Sequence, residues 1–155
     1  LDWHLTNLSN YVGISATTPD PVQVGKLTVS ALGQGQGLRG IPGDDTPPGR
    51  FVRAAVQVTL CDQPADGHDA ELTALHILNS FDITPGIIRE PAPHGGTADE
   101  VTVWNSISNL TGKRYAFRTV TDPNVYAIDL AKVDFTGQAR TRELSWSGSF
   151  QEFTA

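Results

Sequence analysis

The chain has 155 residues, 39% hydrophobic and 18% charged, with a net charge of −6. That balance excludes an intrinsically disordered chain, and a domain of this length can bury about 70% of the surface its unfolded form exposes. The Lys and Arg residues are scattered rather than clustered, which excludes a basic footprint for nucleic acid, and no run approaches the roughly 18 apolar residues that span a bilayer.

The opening Leu1-Asp2-Trp3-His4 lacks the basic and apolar regions of a signal peptide. With no Met anywhere, the chain is expected to be a cut or processed piece. Asp2 to Val12 is expected to be a helix, with Trp3, Leu5, Leu8 and Val12 at loosely helical spacing. Ser15 to Pro21 is a loop. Lys26 to Leu32 alternates Leu27, Val29 and Ala31 with Thr28 and Ser30, a short strand pattern that could also extend a preceding helix. Gly33 to Gly49 holds six glycines and three prolines, and a loop of that length is more often functional than connecting.

Arg50 to Leu60 carries conflicting signals. Val52, Val56 and Val58 favour a strand, whereas Ala54-Ala55 and a start at Thr46-Pro47 favour a helix; a helix is expected. Asp69 to Ser80 is a clearer helix, with Leu72, Leu75, His76 and Asn79 on one face. Gly86 to Gly96 is expected to be loop. The last third reads as β: Val101 to Ser108, Arg114 to Thr121 and Val125 to Leu130, joined by turns at Leu110–Lys113 and Asp122–Asn124. Leu144 to Phe150 is expected to add a strand. The pattern implies a single α+β domain over residues 1–155, with helices layered on an antiparallel sheet.

Gly35-Gln36-Gly37-Leu38-Arg39-Gly40 matches G-x-G-x-x-G, but dinucleotide binding needs a helix to start at the glycines. Ile41-Pro42-Gly43 forbids that helix, so no cofactor is expected. His4, His68, His76 and His94 show no metal-ligand spacing. Asp66-Gly67-His68-Asp69-Ala70-Glu71 reads as a solvated loop with Asp69 capping the next helix, so no metal is expected either. Cys61 excludes an internal disulfide and reads as a small buried hydrophobe. No G-x-S-x-G marks a serine nucleophile. Asn7-Leu8-Ser9 and Asn109-Leu110-Thr111 are sequons that matter only in a eukaryotic secretory context.

Arg50 is the charged residue that most needs explaining. In the first turn of a helix the macrodipole disfavours a cation by about 0.3–1 kcal/mol. Asp44 or Asp45 could compensate as a surface pair. Alternatively, Arg50 faces a site that needs a permanent positive charge. Arg53, one turn later, is the competing candidate.

Gly40-Ile41-Pro42-Gly43-Asp44-Asp45-Thr46-Pro47-Pro48-Gly49-Arg50-Phe51-Val52-Arg53-Ala54-Ala55 resembles the G-L-P-G-D-x-(S/T)-x-x-S-R-F-V-R-A signature of the choloylglycine hydrolases. That family holds bile salt hydrolases and penicillin V acylases among the N-terminal nucleophile hydrolases. Asp2-Trp3-His4-Leu5-Thr6-Asn7-Leu8-Ser9-Asn10-Tyr11 resembles a second block. Thr102 to Thr119 and Asn124 to Leu130 resemble the family's C-terminal hairpins.

The resemblance implies an αββα sandwich, with this chain supplying roughly the C-terminal half. It implies hydrolysis of a linear amide (penicillin V, a conjugated bile salt or an N-acyl homoserine lactone) through an N-terminal Cys thiolate that lies outside this chain. Of the catalytic set, only Arg50 maps onto these residues. The implied partners are the Cys-bearing N-terminal half and a small acyl amide, with a homo-oligomer expected, in a bacterial periplasm or cytoplasm. Gly49 departs from the family's Ser, Asp44-Asp45 from Asp followed by another residue, and Pro47-Pro48 leans toward the penicillin V acylase branch. The alternative is a scaffold that binds or supports without catalysing.

Overall fold

The computed structural model describes residues 2–139 and 141. They fall into two compact units divided between Gln63 and Pro64. The strand expected over Leu144 to Phe150 lies outside the described residues.

The first unit opens with α1 (Asp2–Leu8), whose continuation tightens into a 3-10 turn over Ser9–Tyr11. A hairpin follows, β1 (Val22–Val24) and β2 (Leu27–Val29), with Gly25 at φ 61° in its turn. Val22 faces Val29 and Val24 faces Leu27 on one side, and Gln23 Nε2 donates to Thr28 Oγ1 at 2.7 Å on the other. The strand pattern at Lys26–Leu32 is therefore half of a hairpin, shorter than expected, and not a helix extension. Its partner was hidden in a three-residue segment too short to show a period.

The glycine-rich stretch contains a 3-10 turn over Gln36–Leu38. Gly37 is required there by close approach: a Cβ would lie 2.1 Å from the Thr17 carbonyl oxygen and 2.5 Å from that of Ser15. The Gly37 carbonyl accepts from Ser15 N at 2.9 Å.

α2 spans Pro47–Leu60. The conflict over this segment resolves as helix because its start is set locally. Thr46 is extended (φ −64°, ψ 150°), its side chain accepts from Gly49 N, and Pro47 occupies the first helical position, where its missing N–H costs nothing. Gly49, Val52 and Arg53 are the residues α2 buries. Phe51 stacks on the His4 ring of α1 at 4.9 Å and 27°.

In the second unit, α3 runs over Gly67–Asn79 and begins before the expected Asp69. Asp66 is the cap: its Oδ1 accepts from Asp69 N at 2.9 Å, and Asp69 Oδ2 accepts from Ala65 N at 2.8 Å. The expected capping role of Asp69 is corrected: Asp66 is the cap, and the Asp69 carboxylate in the first turn instead ties back Ala65, the residue that precedes that cap. The expected loop Gly86–Gly96 contains β3 (Arg89–Pro91), paired with β4 (Thr97–Asp99) across Gly95 and Gly96, both at positive φ. Pro91 closes β3, and the edge position of a two-stranded sheet tolerates it.

β5 (Trp104–Asn109), β6 (Arg114–Thr119) and β7 (Asp122–Asp129) form an antiparallel sheet in sequential order. The first turn is as expected, with Lys113 at φ 51°. The second turn differs: Thr119 pairs directly with Asp122, so Val120-Thr121 makes the turn and Asp122-Pro123-Asn124 belongs to β7 beside a register shift. There Asp122 accepts from Asn124 N, Asn124 Nδ2 and the Tyr126 hydroxyl. This local bonding mimics a turn within an irregular strand.

One face of this sheet meets α3. Asn109, at the end of β5, donates through Nδ2 to Glu71 Oε1 at 2.9 Å, and its Oδ1 accepts from Gly112 N at 2.7 Å. Arg114 pairs with the other Glu71 oxygen at 3.1 Å. Ile107 and the buried Ala116 share this face. The opposite face presents Trp104, Tyr115, Phe117, Tyr126 and Ile128 by strand alternation, with Phe117 and Tyr126 stacked at 5.8 Å and Trp104 63% exposed.

Asn109 therefore holds the β5–β6 turn to α3 at both ends of its amide. Asn109→Ala should lower stability by about 1–3 kcal/mol, because it strands the Gly112 N–H and one Glu71 oxygen. Urea unfolding monitored by fluorescence checks this, and an unchanged midpoint would rule out the clamp.

Candidate functional site

The segment Gly40–Arg53 is organised by the buried Arg53, which is 6% exposed. Its Nη1 donates to the carbonyls of Pro42 at 3.2 Å and Asp44 at 2.6 Å, and its Nη2 pairs with Asp45 Oδ1 at 3.2 Å. A guanidinium presents its donors in a fixed fork, so one side chain can hold two carbonyls and a carboxylate at once.

Asp44 is engaged separately. Its Oδ1 accepts from Thr46 N at 3.1 Å and from the Thr46 hydroxyl. Its carboxylate also fills the space a Cβ on Gly49 would need, at 2.5–2.8 Å. The glycine that departs from the family's Ser is thus the steric complement of Asp44. The Thr46 hydroxyl bond, then the Thr46 amide, hold the Asp44 carboxyl below the usual carboxylate range.

Arg50 lies half-buried in the fourth position of α2, with its own N–H bonded to the Thr46 carbonyl at 2.9 Å. Among the described residues no carboxylate pairs with its guanidinium. Asp44 and Asp45, the two expected compensators, are bound to Thr46 and Arg53 instead. Arg53, weighed in the sequence as a rival to Arg50, is a buried structural centre. Sequence spacing cannot separate two arginines three residues apart, because both fall on one helix face.

The remaining candidates carry no catalytic constellation among the described residues. The G-x-G-x-x-G glycines lead into the 3-10 turn, and the next helix starts only at Pro47. Cys61 is exposed, not buried as expected: it is the C-cap of α2, and its thiol donates to the Val58 carbonyl. Helix rise places it roughly 16 Å along the axis from Arg50. Among the described residues no three His, Cys, Asp or Glu side chains are placed to hold a metal, and no helix is long and apolar enough to cross a membrane. His4, set aside above as a metal ligand, packs against Phe51 with Nδ1 buried and unbonded. In the second unit a cavity of about 240 Å³ is lined by Asp82, Trp104, Asn105 and Arg118 among others. Asp82 there satisfies Asn105 at 2.6 Å and Arg118 at 2.5 Å.

The state of Asp44 carries a pH signature. Its folded pKa is depressed, so its contribution to stability is full above the unfolded carboxylate value and disappears as pH falls through the folded one. Asp44→Asn should lower stability at neutral pH and make the acid limb of a stability–pH profile shallower. Thr46→Ala should cost about 1–2 kcal/mol through the lost cap, and should also weaken the pH dependence by releasing Asp44. Parallel acid limbs for wild type and Asp44→Asn would contradict this account.

A family model for linear amide C–N hydrolases of the choloylglycine hydrolase family matches residues 1–142. The bile salt hydrolase/transferase of Clostridium perfringens is 32% identical over 88% of this chain and 40% of its own length. A conjugated bile acid hydrolase of Lactobacillus gasseri is 43% identical over 74% of this chain and 35% of its own. The crystal structure of a cysteine-to-alanine variant of the conjugated bile acid hydrolase from Clostridium perfringens superposes with a TM-score of 0.77 at 28% identity, over 98% of this chain and 45% of that one. Penicillin V acylase from Agrobacterium tumefaciens shares the fold, with a TM-score of 0.61 at 20% identity over 86% of this chain and 34% of that one. The chain spans less than half the length of these relatives. It belongs to the choloylglycine hydrolase family of linear amide C–N hydrolases.

Proposed function

We propose that this chain forms the C-terminal part of a hydrolase that cleaves linear amide C–N bonds through an N-terminal cysteine supplied by a segment outside the present sequence, with Arg50 acting on that thiolate. The observation that carries the reading is Arg50 itself. It is a permanent cation, half-buried at a helix start, and both nearby carboxylates are held by other groups. Such a cation favours a thiolate over a thiol and stabilises charge developing on the substrate. In the reaction the thiolate sulfur bonds to the amide carbonyl carbon, the C–N bond breaks, and the amine departs with the proton that the thiol gave up on ionising. Water then splits the thioester, returning the thiol and releasing the acid.

The proposed architecture is the αββα sandwich. The aromatic face of β5–β7 would pack on a second sheet, while α3 covers the other face. Support comes from the one-sided cover of that sheet and from the exposure of Trp104, Tyr126 and Ile128. The proposed partners are the cysteine-bearing N-terminal portion, a small acyl amide, and further copies of the same protein. Penicillin V, conjugated bile salts and N-acyl homoserine lactones are the substrate classes to assay.

In the intact protein that carries this chain, Arg50→Ala should reduce kcat/KM by about 100-fold or more, with Arg50→Lys recovering part of the loss. Full turnover by Arg50→Ala would remove Arg50 from the mechanism, and failure to hydrolyse any of the three amide classes would remove the proposed reaction. The chain alone, with its aromatic sheet face uncovered, should self-associate. Light scattering that shows a monomer at high concentration would contradict the proposed second sheet.

A further inference from the structure

Three residues decide whether Arg50 keeps its charge for a reacting group. Arg50 and Arg53 lie three apart on α2, so their Cβ atoms are roughly 5–6 Å apart. With Thr46 as the cap, Asp45 stands at the position before it and Arg50 at the fourth helical position, two places whose side chains commonly meet at a helix start. In the structure Asp45 pairs with Arg53 at 3.2 Å. Arg53 outcompetes Arg50 because its fork is already fixed by the Pro42 and Asp44 carbonyls, so little side-chain freedom is lost in adding a third acceptor. Asp44, the only other carboxylate in this loop, is held by Thr46 and packed on Gly49.

We propose that Arg53 is a positioning residue that holds Asp45 off Arg50, so that Arg50 meets the reacting thiolate with its charge unneutralised. This rests on the role assigned to Arg50 above. Removing the Arg53 charge releases Asp45, which then pairs with the adjacent guanidinium of Arg50. A carboxylate there offsets the positive potential that favours the thiolate, and the thiol pKa rises.

The roles of charge and of loop support separate by substitution in the intact protein. Arg53→Gln keeps an amide donor for the loop carbonyls but offers Asp45 no counter-charge. Arg53→Lys keeps the charge and loses the fork. For Arg53→Gln, kcat/KM near neutral pH should fall by about tenfold, with the acid limb of its pH profile moved upward. Arg53→Lys should stay within about threefold of wild type. Adding Asp45→Asn to Arg53→Gln should return both the rate and the acid limb to those of Asp45→Asn alone, and in an Arg50→Ala background Arg53→Gln should not move the limb. The proposal is overturned if Arg53→Gln leaves the limb in place, if Asp45→Asn fails to rescue it, or if Arg53→Lys is as damaging as Arg53→Gln. Full turnover by Arg50→Ala would instead bring down the assignment of Arg50 itself, an outcome read separately from the rescue.

Discussion

A guanidinium removed from water is costly unless acceptors meet it, and the loop of the first unit is arranged around meeting the two terminal nitrogens of Arg53. The Pro42 and Asp44 carbonyls and the Asp45 carboxylate converge on it from one strand of loop. The same bonds hold a segment rich in glycine and proline, which has little conformational preference of its own, in one course from Gly40 to the start of α2. Thr46, Gly49 and Asp44 then interlock: the hydroxyl caps the helix, the carboxylate binds the cap residue, and the absent side chain of residue 49 makes room for that carboxylate. The position of Arg50 follows from these contacts rather than from any ion pair of its own guanidinium among the described residues.

The second unit uses the same kind of solution with different groups. The Asn109 amide bridges the β5–β6 turn and Glu71, and Arg114 takes the remaining Glu71 oxygen. Gly67 and Gly112 both lie where a Cβ would fall 2.9 Å from Asn109 Nδ2, so this contact also explains two glycines. In both units a planar, multidentate side chain joins a helix start to a turn, and small residues leave it room.

The apolar residues are distributed unevenly. Val52, Ile83 and Ala116 are the buried hydrophobic residues among those described, while Trp104, Leu110, Val12 and the aliphatic face of the β1–β2 hairpin stay open to solvent. Burial of apolar surface is the main favourable term in folding. A chain of this hydrophobic content with so few buried apolar side chains is what the proposed two-sheet sandwich requires of one of its halves.

Legibility differed by the range of the interaction that decided each feature. Helix α2 was readable from Thr46-Pro47 because capping and the proline ring act within a few residues. The sheet β5–β7 was readable from strand alternation for the same reason. The three family blocks identified the family and singled out Arg50. Three features were not readable: the β3–β4 pairing, which runs through a proline; the placement of Asp122-Pro123-Asn124 inside a strand; and the exposure of Cys61. Each depends on what neighbouring segments supply. The difference in surroundings between Arg50 and Arg53 was the least legible. The two residues have the same chemistry and lie on one helix face, and only the folded loop, by delivering two carbonyls and a carboxylate to Arg53, left Arg50 without a carboxylate partner among the described residues.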